Sequence, residues 1–160
     1  EMIAEAKPFD SFHFPRIAQL TQRSNQFNLR TVRYTEAEVE ALAQDDSHIC
    51  LYFMLKDKFG DHGLISAVIM EKQENRLFVN TWLMSCRVLK RGMEEFIVNK
   101  MIRTAAELGF GKVIGQYIPT AKNAMVRDLY EKMGFTRTGE GLFEADVAGF
   151  QYHKTFITEE

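Results

Sequence analysis

Three apolar runs, Ile49–Leu55, Leu64–Met70 and Leu77–Cys86, follow one another with only short polar breaks between them. Each has strand length and is apolar on both faces rather than alternating, so a sheet built from them must be covered by helices on both sides. The first break, Lys56-Asp-Lys-Phe-Gly-Asp-His-Gly63, reads as a hairpin turn, and Gln73-Glu-Asn-Arg76 as a second turn. The covering helices are legible around this meander. Pro15 suits the first turn of a helix running to about Phe27, with Ile17, Ala18, Leu20 and Thr21 as its apolar stripe. Thr35-Glu-Ala-Glu38 is a capping box opening a helix to about Ala43. Met93, Phe96, Ile97, Met101, Ala105 and Leu108 recur at helical spacing before Gly109, a natural stop.

The remaining segments are shorter. Leu29–Tyr34 alternates like a short strand, and Lys112–Ile118 reads as a strand halted by Pro119. Asn123–Met133 reads as a helix ending on Gly134, and Phe135–Arg137 with Gly149–Ile157 as a closing hairpin. The expected fold is α+β, one unit over residues 1–160, with a mixed central sheet, helices on both faces and a single β-α-β crossover. No repeat, linker or low-complexity block divides it.

Composition narrows the function classes. A net charge of −2 gives no global field for nucleic acid. Arg87, Lys90 and Arg91 form a local cluster scaled to one phosphate group. The two cysteines, Cys50 and Cys86, have neither CxxC nor metal-ligand spacing and read as reduced thiols of a cytoplasmic protein. The four histidines are scattered, so no metal is expected. No apolar run approaches the length of a membrane span, and no export signal is seen.

The chemistry concentrates where the third run ends. Strand, basic glycine-containing loop and helix start succeed one another through Met84-Ser-Cys-Arg-Val-Leu-Lys-Arg-Gly92. Free amides and the positive end of the helix dipole make such a junction a seat for a phosphorylated ligand, with Gly92 allowing close approach. Cys86, at the strand end beside Arg87 and Arg91, is placed as a nucleophile able to hold an acyl group. Cys50 lies inside a continuous apolar strand and reads as core. Asp61 and His62, in the hairpin, are candidates to touch a substrate at the mouth.

Downstream, Asn123 followed by Leu129-Tyr-Glu-Lys-Met-Gly-Phe135 resembles the late motif of the GNAT acyltransferase superfamily. The longer segments Arg16–Asn28, Lys58–Ile65, Thr81–Glu94 and Tyr117–Asn123 resemble the C-terminal half of FkbH-like proteins and cover most of the chain. Those proteins join a phosphatase-like domain of the HAD type to a GNAT-like domain. They load a glyceryl unit from a bisphosphoglycerate onto an acyl carrier protein, which starts methoxymalonyl-type polyketide extender units and tetronate-type products. The Asp-x-Asp nucleophile motif of the HAD half does not occur here, so the chain is expected to represent the second domain.

The resemblance implies a GNAT-like sheet and a phosphopantetheine arm, from a carrier protein or from coenzyme A. The arm lies along the strand ending at Met84, Ser85 and Cys86. The loop of Arg87, Val88, Lys90, Arg91 and Gly92 faces its phosphates, and Asn123 bonds it from the other side. Tyr130 matches a general acid for the leaving thiolate. Glu94 departs from the superfamily pattern, standing where a small residue admits a diphosphate. A carboxylate there repels a diphosphate and favours a carrier-borne arm with its single phosphodiester. Two other readings stay open: a non-catalytic module that docks the carrier, and an N-acetyltransferase using acetyl-CoA.

Overall fold

A computed structural model describes residues 1–160. The meander is present: β2 (His48–Asp57), β3 (Gly60–Gln73) and β4 (Arg76–Met84) pair antiparallel in sequence order. β1 (Met2–Pro8) adds antiparallel to β2, a strand the sequence reading missed because only its alternating half is apolar. On the other flank β5 (Lys112–Gln116) joins β4 in parallel, followed by the hairpin of β6 (Thr136–Gly139) and β7 (Leu142–Asp146). A terminal strand β8 (Ile157–Glu159) pairs parallel with β1. The mixed sheet therefore runs β6-β7-β5-β4-β3-β2-β1-β8.

Helices cover both faces, as two-sided apolar strands require. On one face α1 (Phe14–Arg23) and α2 (Glu36–Ala43) bury Ile17, Leu20 and Val39 against Tyr52, Leu64 and Ile69. The Thr35 capping box of α2 is complete: its hydroxyl accepts from Glu38 N–H and Glu38 accepts from Thr35 N–H. On the other face α3 (Met93–Glu107) packs Phe96, Ile97, Met101 and Ala105 on Phe53, Val68, Leu77 and Val113. Cys50 is buried against the α1–α2 layer, and burial pushes its thiol up to about 12, in keeping with a core role.

Several boundaries differ from expectation. α1 ends at Arg23 rather than Phe27, and Leu29–Tyr34 is not a strand. The expected helix over Asn123–Met133 is broken into a 3-10 turn at Ala124–Val126 and one short helix, α4 (Leu129–Lys132). The closing hairpin is β6–β7, so Gly149–Phe156 is irregular chain crossing the molecule towards β8. The β2–β3 turn is tight, which places Asp61 and His62 on β3 rather than in a loop.

One joint fixes the site. The β4–β5 pairing covers only Arg76–Phe78 against Lys112–Ile114, after which the strands part. Gly115 lies just beyond, and Tyr130 of α4 packs onto it; a Cβ there would stand 2.4 Å from Tyr130 Cζ. Gly115→Ala is expected to overpack this corner and cost about 1–3 kcal/mol, read as a lowered urea midpoint; an unchanged midpoint would mean that the Tyr130 ring moves freely.

Candidate functional site

β4 ends at Met84, and Ser85 caps a 3-10 turn over Cys86–Val88 by accepting from Arg87 N–H. Cys86 is solvent-exposed, and its thiol donates to Gln26 Oε1 at 3.3 Å. The following loop turns into α3 through Lys90 (φ 61°) and Gly92 (φ 92°), a left-handed pair that only a glycine adopts without strain at its second position. Gly92 brings no side chain to cap α3, so the helix start retains the amide character expected of it.

The basic residues of the loop are already engaged. Arg91 is ion-paired with the buried carboxylate of Asp57 on β2. The same carboxylate oxygen accepts from His62 Nε2 at 3.0 Å, while its other oxygen takes Phe59 N–H at 2.8 Å. His62 therefore pairs with Asp57 and not with Asp61, whose carboxylate is a turn acceptor for Gly63 N–H. Arg87 donates to Ser85 Oγ and to the His62 carbonyl. The Arg91 and His62 hydrogen bonds hold the Asp57 carboxyl far below the usual range. Glu94 accepts from Lys90 N–H at 3.3 Å, and its second carboxylate oxygen is buried without a partner. An internal carboxylate thus takes one of the loop amides ahead of α3.

These residues border a cavity of about 820 Å³, lined among others by Lys90, Arg91, Glu94, Met125, Lys132 and Lys154. Cys86 is outside that lining, and Met84 and Val88 are fully buried, so neither offers its side chain to a ligand. Asp61 is exposed on the far side of the β2–β3 hairpin, in a separate small recess with Lys56 and Glu160.

The edge of β4 that the arm was expected to follow is occupied by the chain itself. Beyond Phe78 this edge offers the Trp82 carbonyl and the Met84 amide. Leu29 N–H donates to Trp82 O at 3.2 Å, and Met84 N–H donates to Phe27 O at 3.1 Å. Across the gap Ile118 N–H donates to Leu29 O, and Asn123 Nδ2 donates to Asn28 O. Asn123 is fully buried and bonds this segment from the far side, the position in which it was expected to meet a ligand. Gln26, Asn28 and Arg30 are the site residues that sequence reasoning missed. Gln26 falls in the tail of the expected first helix and Arg30 in the expected short strand, so these positions read as secondary structure rather than as a site.

Tyr130 is likewise a core residue. It is 1% exposed, its ring packs against Trp82, Phe135 and Phe143 with centroids 5.0–5.7 Å away, and its hydroxyl has no partner. Burial pushes the phenol well above its ordinary range, which suits packing and works against ready proton donation. No group of three or more His, Cys, Asp or Glu side chains is placed to hold a metal ion. No helix is long and apolar enough to cross a membrane.

Comparison with solved structures shows the fold to be that of the GNAT N-acetyltransferases. The ribosomal-protein-S18-alanine N-acetyltransferase of Escherichia coli superposes with a TM-score of 0.67 at 13% identity, over 96% of this chain and 100% of that one. Spermidine N-acetyltransferase from Vibrio cholerae, solved with CoA and spermine, gives 0.67 at 14% identity, over 91% and 96%. A domain from Methanocaldococcus jannaschii gives 0.70 at 11% identity, over 91% and 99%. No protein-family model matches the chain, and no curated protein matches it in sequence.

Two expectations follow. Tyr130→Phe removes a buried hydroxyl that bonds nothing, so stability should stay level or rise by up to about 1 kcal/mol in thermal unfolding. A hundredfold loss of acyl transfer in a variant of undiminished stability would instead restore Tyr130 as the acid. For Asp57, a folded-state carboxyl titrating below an ordinary aspartate contributes fully above about pH 4 and loses that contribution as pH falls through the depressed value. Asp57→Asn should therefore lower the urea midpoint at pH 7 and flatten its fall between pH 4 and pH 2. An acid limb as steep as that of the wild type would remove Asp57 from that role.

Proposed function

We propose that the chain is an acyl-transfer domain that works on an acyl group delivered by, or passed to, the phosphopantetheine thiol of an acyl carrier protein. A glyceryl group of the FkbH-like type is its substrate class, in polyketide extender-unit biosynthesis, and a HAD-type phosphatase-like domain is its companion. The GNAT fold supports acyl transfer in general. The contact of Glu94 with the Lys90 amide carries the choice of ligand, because it fills the anion seat from within and favours a singly charged phosphodiester over the diphosphate of free coenzyme A.

In this reading the exposed Cys86 is the acyl acceptor. Its thiolate attacks the carbonyl carbon of an acyl phosphate, the bond to the phosphate oxygen breaks, and phosphate leaves with the electron pair. The carrier thiolate then attacks the Cys86 thioester, and the Cys86 sulfur leaves and recovers a proton from solvent. Gln26, hydrogen-bonded to the thiol, orients it.

A second reading, a non-catalytic module that docks the carrier, draws support from the buried Tyr130 and the filled β4 edge. The N-acetyltransferase reading draws on the fold and requires a diphosphate seat. Incubation with a bisphosphoglycerate, the phosphatase-like partner and carrier protein separates the three. Cys86→Ser should abolish the glyceryl adduct in intact mass and reduce transfer at least a hundredfold. Full transfer by Cys86→Ser would favour the docking module. Tight, diphosphate-dependent binding of coenzyme A in calorimetry, unimproved by Glu94→Gly, would favour the acetyltransferase.

A further inference from the structure

We propose that Phe27–Thr31 is a displaceable internal segment, paired to β4 through a single bridge, that closes the cleft between β4 and β5, and that an extended diamide arm binds by taking its place. The proposal rests on the phosphopantetheine reading above and specifies how the arm enters.

Where β4 and β5 part, the Trp82 carbonyl and the Met84 amide form a short unsatisfied edge inside the protein, which must be paired. Asn28 stands opposite Leu83 as an antiparallel bridge, and the flanking bonds Leu29 N–H to Trp82 O and Met84 N–H to Phe27 O complete a ladder step. On its other side the segment is held by Ile118 N–H and by Asn123 Nδ2. A phosphopantetheine arm carries two amides in an extended chain. It can meet the same β4 groups and the same Asn123, so the protein segment is an internal analogue of the ligand.

The segment also bears marks of strain. Thr31, at its end, has φ 55°, a region a β-branched residue enters only under constraint, and its hydroxyl is buried without a partner. Trp82 Nε1 and Tyr130 OH, on β4 and on the α4 helix beside it, are likewise buried and unbonded. Side chains tie its two ends: the exposed Cys86 bonds Gln26 just before it, and the half-buried Arg30 bonds Gln116 and the Asn80 carbonyl. Burial of Phe27 and Leu29 keeps the closed form dominant. An arm that needs the open form then binds with an affinity reduced by the open fraction.

Two measurements with phosphopantetheine as the probe test this. Hydrogen exchange on the wild-type protein should show the Leu29 amide exchanging at least tenfold faster with the probe bound, while Met84 keeps its protection through a bond to the arm. The pair Asn28→Cys with Leu83→Cys spans a non-hydrogen-bonded bridge, a geometry open to a disulfide. Oxidising that variant should weaken probe binding at least tenfold relative to the same protein reduced. Probe binding that leaves Leu29 protected and ignores the crosslink would overturn the displaceable segment while sparing the acyl-transfer reading. Failure of the wild-type protein to bind either the probe or a phosphopantetheine-bearing acyl carrier protein, at any concentration up to the millimolar range, would overturn both. If the crosslinked variant does not fold, the exchange measurement decides alone.

Discussion

Two strands that part inside a protein leave backbone donors and acceptors that water cannot reach, and everything around the site answers that demand. The parallel pairing of β4 with β5 ends at Phe78 and Ile114, and the groups beyond it must be satisfied by something. In this molecule the α1–α2 connection does so. It donates and accepts at Trp82 and Met84 on one side and is bonded by Ile118 and Asn123 on the other. Burial of Phe27 and Leu29 adds roughly 1.5–3 kcal/mol each to the closed arrangement, more than the near-neutral exchange of one hydrogen bond for another. Hydrophobic burial, not hydrogen bonding, therefore sets how firmly the cleft is shut.

The same self-sufficiency appears in the charges. Arg91, which looks from sequence like a phosphate ligand, is fixed by Asp57, and that carboxylate also holds His62. This cluster ties the loop before α3 to the β2–β3 hairpin, so the loop shape is set by a strand two positions away in the sheet. Glu94 closes on the Lys90 amide. What stays uncommitted are lysines at the cavity wall, Lys90, Lys132 and Lys154, whose ammonium groups make no ion pair.

Most of the fold was legible because its elements carry local signals. Two-sided apolar runs announced the central strands and their double cover, and the Thr35 box and the α3 periodicity announced two of the helices. β1 and β8 were not legible, since edge pairing is decided by tertiary contacts rather than by a pattern of their own. The helix expected over Asn123–Met133 failed for a related reason. Asn123 gives its side chain to the chain crossing the cleft and to Thr120 N–H, and the backbone turns to let it do so. Within the site, Cys86 follows the end of β4, the loop leads into α3 and Glu94 stands in the first turn of that helix, the order that the sequence carries. The sequence could not reveal that Arg91, Asn123 and Tyr130 are spent on the protein's own structure: Asp57 lies 34 residues from Arg91, Asn28 lies 95 from Asn123, and Tyr130 packs between Trp82 of β4 and Phe143 of β7.

On the proposed carrier reading, both halves of the arm's site are filled from within, the amide half by Phe27–Thr31 and the phosphate half by Glu94. A ligand arriving from dilute solution must displace these occupants with its own binding energy alone. A ligand tethered to a docked protein meets the site at an effective concentration in the millimolar range, and docking contacts offset part of the opening. Self-occupation therefore discriminates by delivery rather than by shape: it weakens a free, doubly charged diphosphate carrier more than a protein-borne arm with one phosphodiester. On the same reading Cys86, exposed just past β4 and hydrogen-bonded to Gln26 beside that segment, is the group that opening brings to the arm.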